Sequence, residues 1–481
     1  MKTKILLLLA AVLTLGSCKK FLTEEPGSFL TPDNFYQTEK DAVAALNGVF
    51  STLQPQTFYQ RTVYTVSDNA SDLMYAGPGA ADRNSLNDHT FTNVNGEISN
   101  WYVNNYKLIK NANEVITYVP PISMDEAKKN NILGNARFLR AMGYFNLLTA
   151  FGEVPLILAP VTATDPNLYP KKATLAALYE QIIIDLKYAE TNCYAEKAIA
   201  GADKGRVSSG AASGLLAKVL LTRAKSAAAQ PNDSQDALAA CNKVIGDTGS
   251  YGLQPTYSDI FSSDNKYNKE VVFAVRFGEA PNASNITLRM FYPVVLGGYG
   301  SFNASNYFFN NGFPAGARDI RKTYSVANTA ADRKTGVVQN VTPFIYKFRD
   351  SKWPGDNNNS RTDWYVLRLA ELYLLQSEAM NNINPADPNK FNGINTVRTR
   401  AGLTLPADQF NLVNTPSADA FVTVLLQERA RELCGEGQRR WDLLRLGRLK
   451  TAMATVGVTV DDNHLLFPIP LSETDVNPNL K

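Results

Sequence analysis

Histidine is nearly missing from this chain, with only His89 and His464 among 481 residues. Cysteine is almost as scarce, at four, and no two form a CxxC pair. The HExxH helix, the Gly-x-Ser-x-Gly elbow, the phosphate-cradling P-loop and GxGxxG are all absent. Histidine- or thiolate-based catalysis and a cysteine metal site therefore have little to work with. "GPGAAD" at Gly77–Asp82 is a glycine-bearing loop, but it lacks a third glycine and a strand pattern before it. An excess of one charge is lacking too: 48 Lys and Arg face 45 Asp and Glu. That balance gives no electrostatic footprint for nucleic acid. The most basic stretch, Arg439–Lys450, interleaves its charges with Trp441, Leu443, Leu444, Leu446 and Leu449 and follows Glu428, Glu432 and Glu436. It reads as an amphipathic helix with a solvated, internally paired face. No run of ~20 apolar residues, the length a spanning helix needs, occurs.

What the sequence does contain begins with its first residues. Lys2 and Lys4 make a basic start, Ile5–Leu15 is almost wholly apolar, and Leu15-Gly16-Ser17-Cys18 follows. The apolar run has the length of a signal-peptide core. A large aliphatic residue, two small ones and a cysteine resemble a bacterial lipobox, in which the thiol takes a diacylglycerol. Residues 1–17 are thus expected to be a lipoprotein signal peptide and Cys18 the lipid attachment site. An ordinary secretory leader is the alternative. Each buried methylene of a lipid chain adds ~0.8 kcal/mol of membrane affinity, so such an anchor needs no transmembrane helix. Cys193, Cys241 and Cys434 remain, cannot all pair with one another, and are expected to be small buried hydrophobes.

Apolar residues recur at helical spacing over much of the rest. Helices are expected over Glu39–Leu53, Ile98–Tyr118, Asp125–Phe151, Leu175–Thr191, Ser208–Ala229, Ser234–Ile245, Trp364–Asn381, Pro388–Ala401, Ser417–Cys434 and Gln438–Met453. Many fall in pairs at intervals of roughly 30–40 residues, with Ala, Gly and aromatic residues inward, as stacked helical repeats require. The expected class is mostly α: an α-α superhelix of tetratricopeptide-like helix pairs with an irregular, loop-rich lobe. Asp68–Val94 and Tyr251–Ser360 break the pattern with Asn, Gly and Pro among Tyr, Phe and Trp. Within the second, Glu270–Phe277 alternates like a strand. These segments are too aromatic for disorder and are expected to be ordered loops. The organisation expected is one domain over 18–481, with a scaffold over 36–250 and 361–453 and a ligand-binding lobe over about 251–360.

Glu428 and Glu432 stand one helical turn apart with Arg429 and Arg431 beside them. A catalytic carboxylate pair and a salt-bridged helix face are both open, the second being the plainer reading. Gly435 and Gly437 then suit a helical hairpin, with Glu436 placed for the dipole of the helix that follows. "DNNNS" at Asp356–Ser360 lacks the glycine and closing glutamate of a calcium loop. No metal, cofactor or catalytic residue is assigned.

Several blocks resemble one family in order. "ARFLRAMGYFNLLTAFGEVPLI" (Ala136–Ile157), "KGRVSSGAASGLLAKVLL" (Lys204–Leu221), "VLRLAELYLLQSEA" (Val366–Ala379), "INTVRTRAGL" (Ile394–Leu403), "ERARELCGEGQRRWDLLRLGRL" (Glu428–Leu449) and "LLFPIPLSETDVNPNL" (Leu465–Leu480) are similar to blocks of the SusD/RagB family. "FLTEEP" (Phe21–Pro26) behind the lipobox fits as well. The resemblance implies a surface nutrient-binding lipoprotein of Bacteroidota. Such a protein is non-catalytic and lies over a SusC-like TonB-dependent transporter, to which it delivers oligosaccharides or, in some members, peptides. It implies outer-membrane attachment through the lipid, facing the cell surface. Lys19 and Lys20 follow the cysteine where surface export is thought to favour acidic residues; Glu24 and Glu25 come later.

The matching blocks are mostly packing motifs and do not mark a site. Sugar rings stack on exposed aromatic faces, and their hydroxyls need Asn, Asp, Gln or Arg. Loops offering both are Met74–Asn84, with Tyr75, Asp82 and Arg83; Asn100 with Trp101; and the aromatic loop with Tyr299, Phe302, Asn303, Asn306 and Tyr307. Trp353, in a polar loop, is the foremost single candidate. The ligand-binding set is thus Trp353, Tyr299, Tyr307, Asn303, Tyr75, Arg83 and Trp101. A protein-interaction scaffold without a small ligand, or more remotely a glycosidase, are the competing readings.

Overall fold

The computed structural model describes residues 31–481, apart from 163–167, 200, 280–283, 315–317 and 356–358. The leader, Cys18 and part of the Asp356–Ser360 loop lie outside the described residues. Helices dominate, and most long ones start where a side chain can accept from an orphan N–H. Thr38 caps α1 (Glu39–Ser51) in a capping box with Asp41. Asn95 caps α2 (Gly96–Tyr118), Asp125 caps α3 (Glu126–Phe151), Thr174 caps α4 (Leu175–Asn192) and Ser208 caps α5 (Ser209–Arg223). Next come α6 (Asp233–Gly246), α7 (Leu369–Ile383), α8 (Phe391–Arg400) and α9 (Ala418–Leu433). From α2 to α8 each helix packs on the next in chain order, including α6 on α7 across the long intervening lobe. This is the stacked-repeat arrangement that the sequence period predicts. The main core draws on residues from Ala42 to Phe467, and two smaller clusters, one holding Ile394 and Phe421 and one holding Leu443 and Met453, lie among the C-terminal helices.

Two predicted helices differ. Trp364–Arg368 is a strand, and α7 begins only at Leu369. The run Trp364-Tyr365-Val366 suits a buried strand as well as a helix. Pairing decides it: β6 (Trp364–Arg368) lies antiparallel to β2 (Val271–Val275). Gln438–Met453 is not one helix but two, α10 (Arg439–Arg445) and α11 (Leu449–Ala454), broken where Gly447 takes φ +67°. The lobe over 251–360 also holds β3 (Phe302–Ala304) and the antiparallel pair β4 (Val326–Ala331) and β5 (Val338–Ile345). β1 (Met74–Ala76), from the first irregular region, pairs with β3.

The salt-bridged helix face expected at Glu428 and Glu432 is present, and it lies in the interior. Glu428 and Glu432 are fully buried. Arg321 bonds Glu428 at 2.6 Å and Glu432 at 3.2 Å, and Arg398 bonds Glu428 at 2.8 Å. Arg368 reaches Glu270 and Glu436 at 2.7 Å and Glu432 at 3.0 Å. Arg400 bridges Glu270 and Glu432. Surrounding guanidinium groups outweigh desolvation and hold the Glu432 carboxyl down at about 2. With every oxygen engaged and no solvent access, this pair is structural. Arg440, in the Arg439–Lys450 stretch expected to present a solvated face, is instead fully buried. It donates to the His464 and Leu465 carbonyls at 3.0 and 2.9 Å and lies over the Phe467 ring. Gly435 and Gly437, both at φ +76°, make the expected hairpin. Its cap differs from expectation. Asp68 accepts from the N–H groups of Gly437 and Arg439, while Glu436 turns to Lys347 and Arg368. Cys193, Cys241 and Cys434 are free and buried, and burial pushes the Cys193 thiol up to about 12.

Removing a partner from a buried ion pair costs ~3–5 kcal/mol. Arg368→Met should therefore lower unfolding free energy by about that amount in chemical denaturation, because Glu270, Glu432 and Glu436 lose their common donor. Acid sensitivity has a separate source. Burial, with Arg440 beside it, depresses the His89 imidazole to about 3. The unfolded chain takes up this proton below ~6.5 while the folded one does not. Stability from this group is present above pH 6.5 and is lost as pH falls toward 3. Asp68, raised by burial to about 6, acts the other way and gains stability as pH falls from 6 towards the ordinary carboxylate value. His89 sits at φ +54°, a conformation asparagine tolerates. His89→Asn should melt like the parent at pH 8 and be more stable by about 2 kcal/mol at pH 5, as read by thermal scans across pH.

Candidate functional site

The short pair of β1 and β3 sets two candidate residues side by side. Its register places Tyr75 opposite Asn303, flanked by Met74 opposite Ala304 and Ala76 opposite Phe302. Side chains alternate across a strand. Met74, Ala76, Phe302 and Ala304 are buried on one face, which leaves Tyr75 and Asn303 on the other. Tyr75 is half-buried, and desolvation raises its phenol, so it stays a neutral hydroxyl.

The chain then turns into the one-and-a-half-turn helix Asn306–Asn311. Ser305 fixes that turn: its N–H donates to the Leu73 carbonyl, its hydroxyl to the Asp72 carbonyl at 2.6 Å, and its oxygen accepts from Phe308 N–H. Tyr307 is consequently held at the surface with 42% of its area exposed. Arg431 of α9 clamps the far end by donating to the Gly312 carbonyl at 2.6 Å.

Tyr75 and Tyr307 border one hollow of about 370 Å³, with Asn87, Asn306 and Thr455 on its walls. A second hollow of about 310 Å³ shares Tyr307 and Thr455 with it and adds Asn311, Gln427, Arg448 and Thr451. Together they form a groove between the β1–β3 pair and the C-terminal helices. Two aromatic rings, several amides and threonine hydroxyls line it, the donor and acceptor mix that planar rings with hydroxyl edges require. The Asn306 and Tyr307 side chains are exposed, and Asn87 donates to the Asn69 and Met74 carbonyls at 3.2 and 3.3 Å.

The other candidates lie elsewhere. Arg83, on the short helix Ala81–Asn87, stacks over Phe302, on the face of β3 away from Asn303. Phe302 itself is fully buried. Trp101 is 2% exposed and packs edge-on against Phe58. Trp353, expected as an exposed platform, is 9% exposed. Its ring meets Tyr292 edge-on at 5.4 Å and carries Arg333 at 5.7 Å, so these contacts take up its surface. It borders a separate shallow cleft with Tyr346 and Arg349. Tyr299 is exposed but clasped by Arg289, which stacks on its ring, donates to its hydroxyl and is itself tied to Asn359.

Sequence reading missed Asn87, Asn311, Gln427, Thr451 and Thr455. Gln427 and Thr451 sit on helices that read as packing elements, and Thr455 caps the end of the second. A signal was present: Thr423, Gln427 and Arg431 recur every four residues on α9 and form one polar stripe facing the groove. Among the described residues no cluster of three or more His, Cys, Asp or Glu is placed to hold a metal ion, and no helix is long and apolar enough to cross a membrane.

Comparison with known proteins matches both ends of the chain. Residues 20–221 match a family model described as "Starch-binding associating with outer membrane", and residues 320–481 match the SusD family model. SusD-like protein P25 of Formosa agariphila is 26% identical, with 96% of this chain and 95% of that protein covered. A SusD superfamily protein from Parabacteroides distasonis superposes with a TM-score of 0.81 at 23% identity, covering 94% of this chain and 99% of that one. A solved laminarin binding SusD-like protein gives a TM-score of 0.75 at 26% identity, covering 91% and 97%. The fold, the two matched segments and the full-length relatives agree: this chain belongs to the SusD/RagB family.

Proposed function

We propose that the chain is a non-catalytic glycan-binding lipoprotein of the outer membrane. It captures an oligosaccharide in the Tyr75–Tyr307 groove and passes it to a SusC-like TonB-dependent transporter. The observation that carries this reading is the groove itself: two tyrosine rings on fixed backbone, with Asn303 opposite Tyr75 on the strand pair and Asn306 and Gln427 on the walls. Sugar C–H faces stack on such rings, and amides bond the hydroxyls. The laminarin-binding neighbour and the starch-binding family model support the ligand class. Family membership supports the transporter partner. The lipobox at Cys18 supports anchoring, and family membership supports a position facing the cell surface.

One observation favours a second reading, peptide capture. None of the four tryptophans is exposed: Trp101, Trp353 and Trp364 are buried and Trp441 is half-buried.

The soluble chain beginning after Cys18 should be retarded in affinity electrophoresis by one of a panel of glycans that includes laminarin and starch. Tyr75→Ala and Tyr307→Ala should each weaken that binding roughly tenfold, about 1.4 kcal/mol, while Trp353→Phe leaves it unchanged. Retardation that survives both tyrosine changes would move the site off the groove; no retardation by any glycan, with binding to a peptide panel, would establish the second reading. Anchoring is tested apart from ligand. Cys18→Ala should shift the chain from the membrane fraction to the soluble fraction of the native host, and an unchanged distribution would refute lipid attachment.

A further inference from the structure

Three of the four tryptophans, Trp101, Trp364 and Trp441, border a single cavity of about 220 Å³. It is walled by α3, α5 and α10 and shares no lining residue with the groove. A cavity of ~150 Å³ lined by apolar side chains already admits a benzene ring, and native interiors leave few spaces larger than a water. The largest side chains in the protein therefore surround a space that they do not fill.

Its polar lining holds acceptors, among them Asp442 and Gln438, and donors. Trp101 is 2% exposed, and its indole Nε1 has no hydrogen-bond partner among the described residues. An indole N–H can only donate, and a buried donor left unpaired is costly. The charges around the cavity are paired with one exception. Arg445 is paired with Glu378 and Asp442, and Lys218 with Glu371. Lys225, exposed at the rim, meets Asn382 Oδ1 at 2.9 Å and has no carboxylate within ion-pair distance among the described residues. Aromatic walls and one cation without a carboxylate partner define complementary chemistry. We propose that this cavity is a second binding site, separate from the groove, for a small planar aromatic carboxylate whose ring lies among the tryptophans and whose anion pairs with Lys225.

Naphthalene-2-carboxylate is the probe, titrated into the mature chain starting after Cys18 and followed by tryptophan quenching and calorimetry. It should bind at one site, and naphthalene-2-carboxamide, which has the same ring without the charge, should bind at least tenfold more weakly. Thr149, on the cavity wall, spends its hydroxyl only on carbonyls of its own helix. Thr149→Phe should thus fill the space and abolish binding, while Thr149→Ala keeps it. If Thr149→Phe loses its cooperative melt, Thr222→Met on the same wall carries the filling test. Lys225→Gln should weaken the carboxylate about tenfold and leave the carboxamide unchanged. Equal binding of the two probes, insensitive to Lys225→Gln, would overturn the anionic ligand. No binding of either probe, or binding that survives both filling variants, would overturn the site.

Discussion

Glu432 is the anion on which the C-terminal half of the molecule converges. It is fully buried and accepts from Arg321, Arg368 and Arg400, three residues drawn from the irregular lobe, from β6 and from α8. Glu428, one turn earlier on α9, gathers Arg321, Arg398 and Arg431. Glu436, just past the helix, gathers Arg368 and Lys347. Four segments distant in sequence are thus required to meet in one place. Burying so many charges gains little net stability over an apolar core. What it imposes is directional: a guanidinium matches a carboxylate in few orientations, so a slipped lobe would strand charges in the interior. In this chain the network is best understood as the device that fixes how a loop-rich lobe sits on regular helices.

The groove inherits its shape from that constraint. Arg431, one of the partners of Glu428, also clamps the carbonyl of Gly312 below Tyr307. Arg439 grips Asp72 at 2.7 Å, and Asp72 in turn offers its carbonyl to Ser305. Asp68 caps the helix that carries Arg439. The segments at residues 68–76 and 301–312, whose only regular elements are short, are therefore tied to α9 and α10 by charge-assisted bonds. Binding loops are ordinarily the most mobile part of a fold. Here their backbone is fixed from below, and exposed rings stand on a rigid base.

Much of the scaffold could be read from residues alone because it rests on local rules. Thr38, Asn95, Asp125, Thr174, Ser208 and Ser417 each cap a helix that begins within a few residues of its expected start. Failures arose where a distant partner decides. Trp364–Arg368 is a strand because β2 pairs with it, and Arg440 is interior because carbonyls near residue 464 receive it. The site shows the same division. Tyr75, Asn303 and Tyr307 lie in loops whose composition is suited to exposed stacking, and the β1–β3 register joins them. Trp353 sits in an equally polar loop, yet Tyr292 and Arg333 claim its ring. Whether a loop aromatic faces solvent depends on residues far along the chain, and no local pattern reports that. Gln427 and Thr451 were invisible for the opposite reason: they stand on helices that read as packing elements.

A rigid, open groove suits capture followed by release. Ordering a side chain or loop on binding costs ~0.5–1.5 kcal/mol for each rotamer-rich group. Ser305 and the β1–β3 bonds have already ordered the backbone beneath both rings, so that cost falls on folding rather than on the ligand. Openness works in the other direction. Two stacking surfaces and a few amide bonds, never enclosed, leave much of a bound chain hydrated and cap the affinity. On the proposed reading that cap is useful, because a ligand moves onward only if the receiving site binds it more favourably than the donor does. A deep tryptophan-walled pocket would hold cargo longer and deliver it less readily. The protein does possess a tryptophan-walled cavity, but it is set among α3, α5 and α10 and shares no lining residue with the groove.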